Sequence, residues 1–217
     1  MFPAAVDPVS STESLASIQA RIEETTEDLL ASLPAPGQLS AQERRSMIAR
    51  YTAVLEGNFI YWMTGALLSV GSNEAREKIL ENLREEVRDC HPGMMRRFAI
   101  AASAVPTEAD AAAVYRNLMS VRLFVGRLSP VPIVVTMAFF EGFIQRFMAY
   151  LAELAHCQGS AEMEYTDVHG VCDVTHTQEL FRALDAEMAL ASGVTDREMF
   201  EGVALLRTLI QNIVSVN

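Results

Sequence analysis

Residues 165–180 read YTDVHGVCDVTHTQEL and place His169, Asp173 and His176 at i, i+4 and i+7. At about 100° per residue these positions fall at roughly 0°, 40° and −20° around a helix, one narrow stripe. Two of the chain's four histidines therefore point the same way as an aspartate. Such a stripe is either a solvated polar face or a set of metal-type donors aimed at one point. Both readings need a helix here.

Outward from this stretch, helix signals repeat and strand signals are nearly absent. Ser10-x-x-Glu13 opens an amphipathic run that PAPG stops, and Ser40-x-x-Glu43 caps a long segment expected from Ala41 to about Val70. GSN at 71–73 interrupts the chain before EAREKILENLREEVRD, and His91-Pro92 disfavours continuing that helix. Further helices are expected from about Pro92 to Ser103, from Thr107-x-x-Asp110 to about Arg127, and from Ser129-Pro130 to about Cys157. The quoted stretch lies in another, from about Ala161 to Ala191, and Thr195-x-x-Glu198 caps the last. The expectation is an all-α bundle of seven or eight helices in a single domain spanning 1–217, with residues 1–9 as a flexible tail.

At 217 residues, half of them hydrophobic, the chain can fill one sizeable core. A net charge of −11 with no basic run excludes phosphate neutralisation, so no nucleic-acid partner is expected. Three cysteines, Cys90, Cys157 and Cys172, have no paired spacing, which fits a reducing compartment and a cytoplasmic location. The N-terminus lacks the charged and apolar regions of a secretory signal. The longest apolar run, VPIVVTMAFF, is too short to span a bilayer, so no membrane partner is expected either.

Two more segments bear on chemistry. Between Val131 and Ile144 the one charged side chain is Glu141, with Val134, Met137, Ile144 and Met148 as its helical neighbours. A carboxylate on such a face is expensive to bury unless a cation meets it, either a metal ion or a side chain such as Arg146. In ENLREEVRDCHPGMMRRF, Glu81, Glu85, Glu86 and Asp89 precede His91, and most of these acids are ordinary surface charges. One of them, with the helix break after it, can share a target with His91. The three segments together offer three carboxylates and three histidines, and His156, at a helix end, is left on the surface. Mixed carboxylate and imidazole donors suit two iron or manganese ions inside a bundle.

This pattern resembles the heme-oxygenase-like diiron oxidases and oxygenases, whose ligands run Glu, His, Glu, His-x3-Asp-x2-His. HGVCDVTH matches the closing triplet, Glu141 the lone mid-helix glutamate, and His91 the first histidine. NLREE looks like the family's Asn-x-x-acid-Glu stretch, which selects Glu86, although members often place more residues before the histidine, so Glu85 and Glu81 stay open. The resemblance covers roughly residues 40–192. It implies metal ligation by Glu86, His91, Glu141, His169, Asp173 and His176, with Glu86, Glu141 and His169 serving catalysis as well. It also implies two Fe(II) ions, O2 as co-substrate, a small-molecule substrate and room for an external electron donor or a homodimeric partner. The phrases HPGMMRRFAIAA and FFEGFIQRFMAYLA look most like the amino-acid-processing branch and its nitrile synthases. N-oxygenation, oxidative C–C cleavage or nitrile formation on an amino-acid-derived metabolite is therefore expected. Met94, Met95, Phe98, Phe139, Phe140 and Phe143 are candidates to line the substrate site, Phe140 and Met94 foremost, and Arg97 would meet a substrate carboxylate; Arg96, Arg122 and Arg146 are its alternatives. Two other readings stay open. One is a metal-free, thiaminase-like lyase or hydrolase using Cys172, which lies about 60° or more from each motif residue on a helix. The other is a non-enzymatic helical binding protein.

Overall fold

Capping side chains set where the helices begin. The structure, a computed structural model, describes residues 14–216. Among them it forms α1 (Leu15–Ala31), α2 (Ala41–Leu55), α3 (Asn58–Ser69), α4 (Asn73–Arg88), α5 (His91–Ala101), α6 (Glu108–Val125), α7 (Pro130–Cys157), α8 (Glu164–Met188) and α9 (Asp196–Ile213). No strand occurs among the described residues, as the all-α reading requires. Ser40 with Glu43, Thr107 with Asp110, and Thr195 with Glu198 each form a reciprocal capping box at the expected place. In each, two otherwise unpaired N–H groups of a first turn find oxygens. The Ser10-x-x-Glu13 box and the expected tail lie outside the described residues; α1 starts from a Ser14 cap.

One expected helix is two. The segment from Ala41 to Val70 breaks after Leu55, because Gly57 takes a left-handed conformation (φ 77°) that only glycine adopts without penalty. The α2 helix carries eight buried residues and α3 six, so the break lets both lay an apolar face on the core.

Helix α7 occupies the centre and packs against α1, α2, α3, α8 and α9. Its residues from Val131 to Glu141 are all buried. Burying each Val, Ile or Phe there contributes on the order of 1.5–3 kcal/mol. This helix is long and apolar enough to cross a membrane, yet 83% of its most apolar window is buried inside the protein, as in a core helix. Helix α8 runs along α7, and α4 and α5 pack onto α8. That arrangement sets the three chemistry-bearing segments side by side.

The packing of α6 and α7 against α9 depends on Gly202. A Cβ there would lie 2.1 Å from Thr136 Oγ1 and 2.4 Å from the Phe124 ring. Gly202→Ala is expected to lower stability by roughly 1–3 kcal/mol in urea unfolding, despite the better helix propensity of alanine. Gly170→Ala, where the nearest new contact is Met148 at 4.0 Å, should stabilise by up to about 1 kcal/mol instead.

Asp110 gives a pH prediction. Burial alone would raise its carboxyl, but hydrogen bonds from Thr107 and the Arg45 guanidinium hold it below the usual range. A carboxylate depressed in the folded state adds stability above its unfolded pKa and loses it as pH falls through the folded value. The stability difference between the wild type and Asp110→Asn should therefore be full at neutral pH and shrink on acidification below the ordinary carboxylate range, as read by unfolding midpoints at stepped pH.

Candidate metal centre

The turn between α4 and α5 builds the first half of the site. Helix α4 ends at Arg88, and Cys90 then adopts a left-handed conformation (φ 57°), unusual for a residue with a side chain. The chain reverses, so His91 folds back over the last turn of α4. Its Nδ1–H donates to Glu86 Oε1 at 2.7 Å. Both side chains are buried, with 5% and 6% exposure. The four-residue separation is thus bridged by a turn, and Glu86 is the acid it brings to His91. Glu81 stays exposed, while Glu85 sits half-buried and turns to His176 instead.

Helix α8 supplies the second half from one face. His169, Asp173 and His176 are all buried, as a shared stripe demands. His169 Nδ1 lies 2.8 Å from the Tyr165 carbonyl oxygen, which can only accept, so Nδ1 carries the proton and Nε2 keeps its lone pair. That Nε2 faces Glu86 Oε1 at 3.9 Å. The Tyr165 ring packs 4.3 Å from the imidazole, and its hydroxyl meets that of Tyr51 at 2.8 Å, which pins the helix at this level. His176 is turned the opposite way. Its Nε2–H donates to Glu85 Oε2 at 2.9 Å, and Nδ1 looks inward, 3.5 Å from Asp173 and 3.8 Å from Glu141. Glu141 comes from α7 and accepts from Asn82 Nδ2 at 2.7 Å.

The donors fall into two groups. Ligand atoms of Glu86, His91 and His169 lie within 4.8 Å of one another, and so do those of Cys172, Asp173 and His176, with Glu141 adjoining His176. Their electrostatics ask for a cation. Burial, reinforced by the charges of Asp173 and Glu86, drives the Glu141 carboxyl well above its ordinary range. Burial alone would lower the His176 imidazole, but Asp173, Glu141 and Glu85 outweigh it and push it up to about 10. His91 is raised in the same sense, its burial overcome by Glu86. Three buried atoms here, Asn82 Oδ1, Asp173 Oδ2 and His176 Nδ1, have no hydrogen-bond partner. A buried polar group left so costs about 1–3 kcal/mol. Oxygen and nitrogen donors in this number, with one ring nitrogen of His169 tied back to the Tyr165 carbonyl and one of His176 to Glu85, fit iron ions.

A narrow cavity of about 30 Å³ adjoins the cluster, with Glu86, His91, Glu141, His169 and Asp173 as its polar wall. Leu55, Phe59, Ile60, Met95, Phe140 and Ile144 line the rest. Of the lining candidates, Phe140 and Met95 border this cavity and Met94, one position and about 100° away round α5, does not. Arg97 does not reach the cavity. It lies exposed, paired with Glu164. The alternative arginines are also engaged elsewhere: Arg96 with Glu56, Arg122 with Asn58, and Arg146 with Glu23 and Glu27. In each case a nearby acid or amide on a neighbouring helix holds the guanidinium outside. His156 is exposed, as expected. Cys172 is half-buried, and burial together with the Asp173 charge raises its thiol, which makes it a poor nucleophile. Glu85 was an alternative first carboxylate and Asn82 part of the NLREE motif, but their parts behind His176 and Glu141, like that of Tyr165, were not foreseen. The signal for those parts was spacing alone: Asn82 is one helical turn before Glu86, and Tyr165 one turn before His169.

No curated protein and no solved structure matches the chain. A family model described as iron-containing redox enzyme matches residues 48–209, a span that holds all six converging ligand candidates. With most of its length covered by that match and this donor set at its centre, the chain belongs to the heme-oxygenase-like family of iron-containing redox enzymes.

Proposed function

We propose that the chain is an O2-dependent oxygenase or oxidase that holds two iron ions and acts on a small metabolite. One ion would be held by Glu86, His91 and His169, the other by Asp173, His176 and Glu141. The observation that carries this reading is the adjoining pair of buried donor groups with unpartnered atoms, five of whose six residues line an otherwise apolar cavity. Two ferrous ions in such a site supply electrons to O2 and polarise the groups bound beside them.

The chain's own residues have definable parts. Tyr165 and Glu85 fix the tautomers of His169 and His176, so that one presents Nε2 and the other Nδ1 to the centre. Asn82 orients Glu141 through Oε1. Glu141, whose carboxyl holds its proton far above the usual range, releases it when a cation arrives. Phe59, Phe140 and Ile144 keep water from the reacting groups and pack on the apolar part of a substrate. An amino-acid-derived substrate, undergoing N-oxygenation, C–C cleavage or nitrile formation, belongs to this proposal. Since no arginine or lysine lines the cavity, the acid group of such a substrate would find its counter-charge only at the wall where the ions would sit.

The deciding experiment is anaerobic titration with Fe(II), followed by O2 and a panel of amino acids with mass analysis of the products. About two equivalents should bind, and about one in His176→Ala. Binding of no iron, or iron and O2 with no amino acid consumed, would count against the metal site or the substrate class respectively. Asn82→Ala should weaken iron binding or turnover by about 10–100-fold, the usual effect of losing a partner behind a ligand.

Stability of the metal-free protein offers an independent check. Glu141→Gln keeps an oxygen for Asn82 but removes the cost of holding a buried carboxyl far above its ordinary range, so it should unfold at a higher urea concentration than the unaltered metal-free chain at neutral pH. It should also gain less from added Fe(II). A lower midpoint for the variant would mean that Glu141 is stabilised within the protein without a metal.

A further inference from the structure

The six ligand candidates do not all open toward the same side of the bundle. Five of the six ligand candidates line the apolar cavity; His176 does not. It lines a separate pocket between α4 and α8, together with Glu81, Asn82, Glu85, Cys172 and Glu179. The His176 ring is a partition: Nε2 meets Glu85 on the pocket side, and Nδ1 faces Asp173 and Glu141 inside. Asn82, 3% exposed, lines the same pocket and carries an oxygen without a partner. Lys78 neutralises Glu179 at 2.7 Å, which leaves Glu81 and Glu85 as the net negative charge.

We propose that the second metal ion reaches Asp173, His176 and Glu141 through this acidic pocket, with Glu85 handing it inward past His176. The inference rests on the two-iron reading and adds a route to it. A hydrated dication taking the other way would have to pass between Leu55, Phe59, Ile60 and Phe140, where nothing replaces its water. On the α4/α8 side it meets carboxylates first, then the Asn82 oxygen, then an imidazole. Glu85 is suited to the transfer because its side chain is 35% exposed while its carboxylate touches a ligand that is 4% exposed.

The test uses the full metal-free chain and Co(II), whose visible absorption reports binding in stopped flow without turnover. Two phases are expected, and His176→Ala should retain only the first. Glu81→Lys and Thr175→Lys place a cation at the exposed mouth, outside the ligand set. Each should slow the second phase on the order of tenfold at low salt, since a charged mouth steers on-rates by factors of this size. The first phase and the final stoichiometry should stay as they are, and added salt should narrow the difference. A second phase that keeps its rate in both variants overturns the route, and so does equal slowing of both phases. No cobalt uptake by the unaltered chain would instead overturn the two-metal reading, and the route with it.

Discussion

Three carboxylates and three imidazoles buried together, with no arginine or lysine among them, are the constraint around which this bundle is organised. Carboxylates at this depth repel one another and lose their hydration. Without a cation the cluster shifts its own groups instead: burial drives the Glu141 carboxyl well above its ordinary range, and the surrounding carboxylates push the His176 imidazole up to about 10. Helices α4, α5, α7 and α8 must still be fixed firmly enough to keep these groups apart from water. The continuous apolar face of α7, the Tyr51–Tyr165 hydroxyl pair and the capping boxes at the ends of neighbouring helices do that work.

Cation demand and packing thus pull in opposite directions. A leucine at 141 would suit the surrounding Met137 and Ile144 better than a glutamate does. That the position is acidic is a cost in stability accepted for chemistry, and it explains why the most informative residue of α7 was visible as an exception to its pattern. The same reasoning applies to Asp173, at 1% exposure with one oxygen unpartnered.

Legibility in the sequence followed the range of the interaction. Caps are local: Ser40, Thr107 and Thr195 announced their helices because each bonds a residue three positions away. The HGVCDVTH triplet was legible for the same reason, being periodic within one helix. The break at Gly57 was not, since a glycine inside a helical pattern becomes a hinge only when tertiary packing uses it. Arg97 and Met94 show the other limit. Which way a side chain on α5 points depends on the phase of the helix against its neighbours, and one position exchanges Met95 for Met94 and sends Arg97 to Glu164 in solvent. The NLREE pattern marked Glu85 and Asn82, but not that they hold His176 on α8 and Glu141 on α7, partners more than fifty residues away.

The left-handed Cys90 has a consequence for how such sites diverge. Within α8 the donors are tied to helical periodicity, so inserting or deleting one residue there would rotate the downstream ligands by about 100° and scatter them. Between Glu86 and His91 the register is set by a turn, and turns of different length can deliver a side chain to the same point. The first glutamate–histidine interval is therefore free to drift among related chains, whereas the closing triplet is not. Sequence patterns that fix the first spacing will miss functional relatives, and patterns anchored on the triplet will keep them.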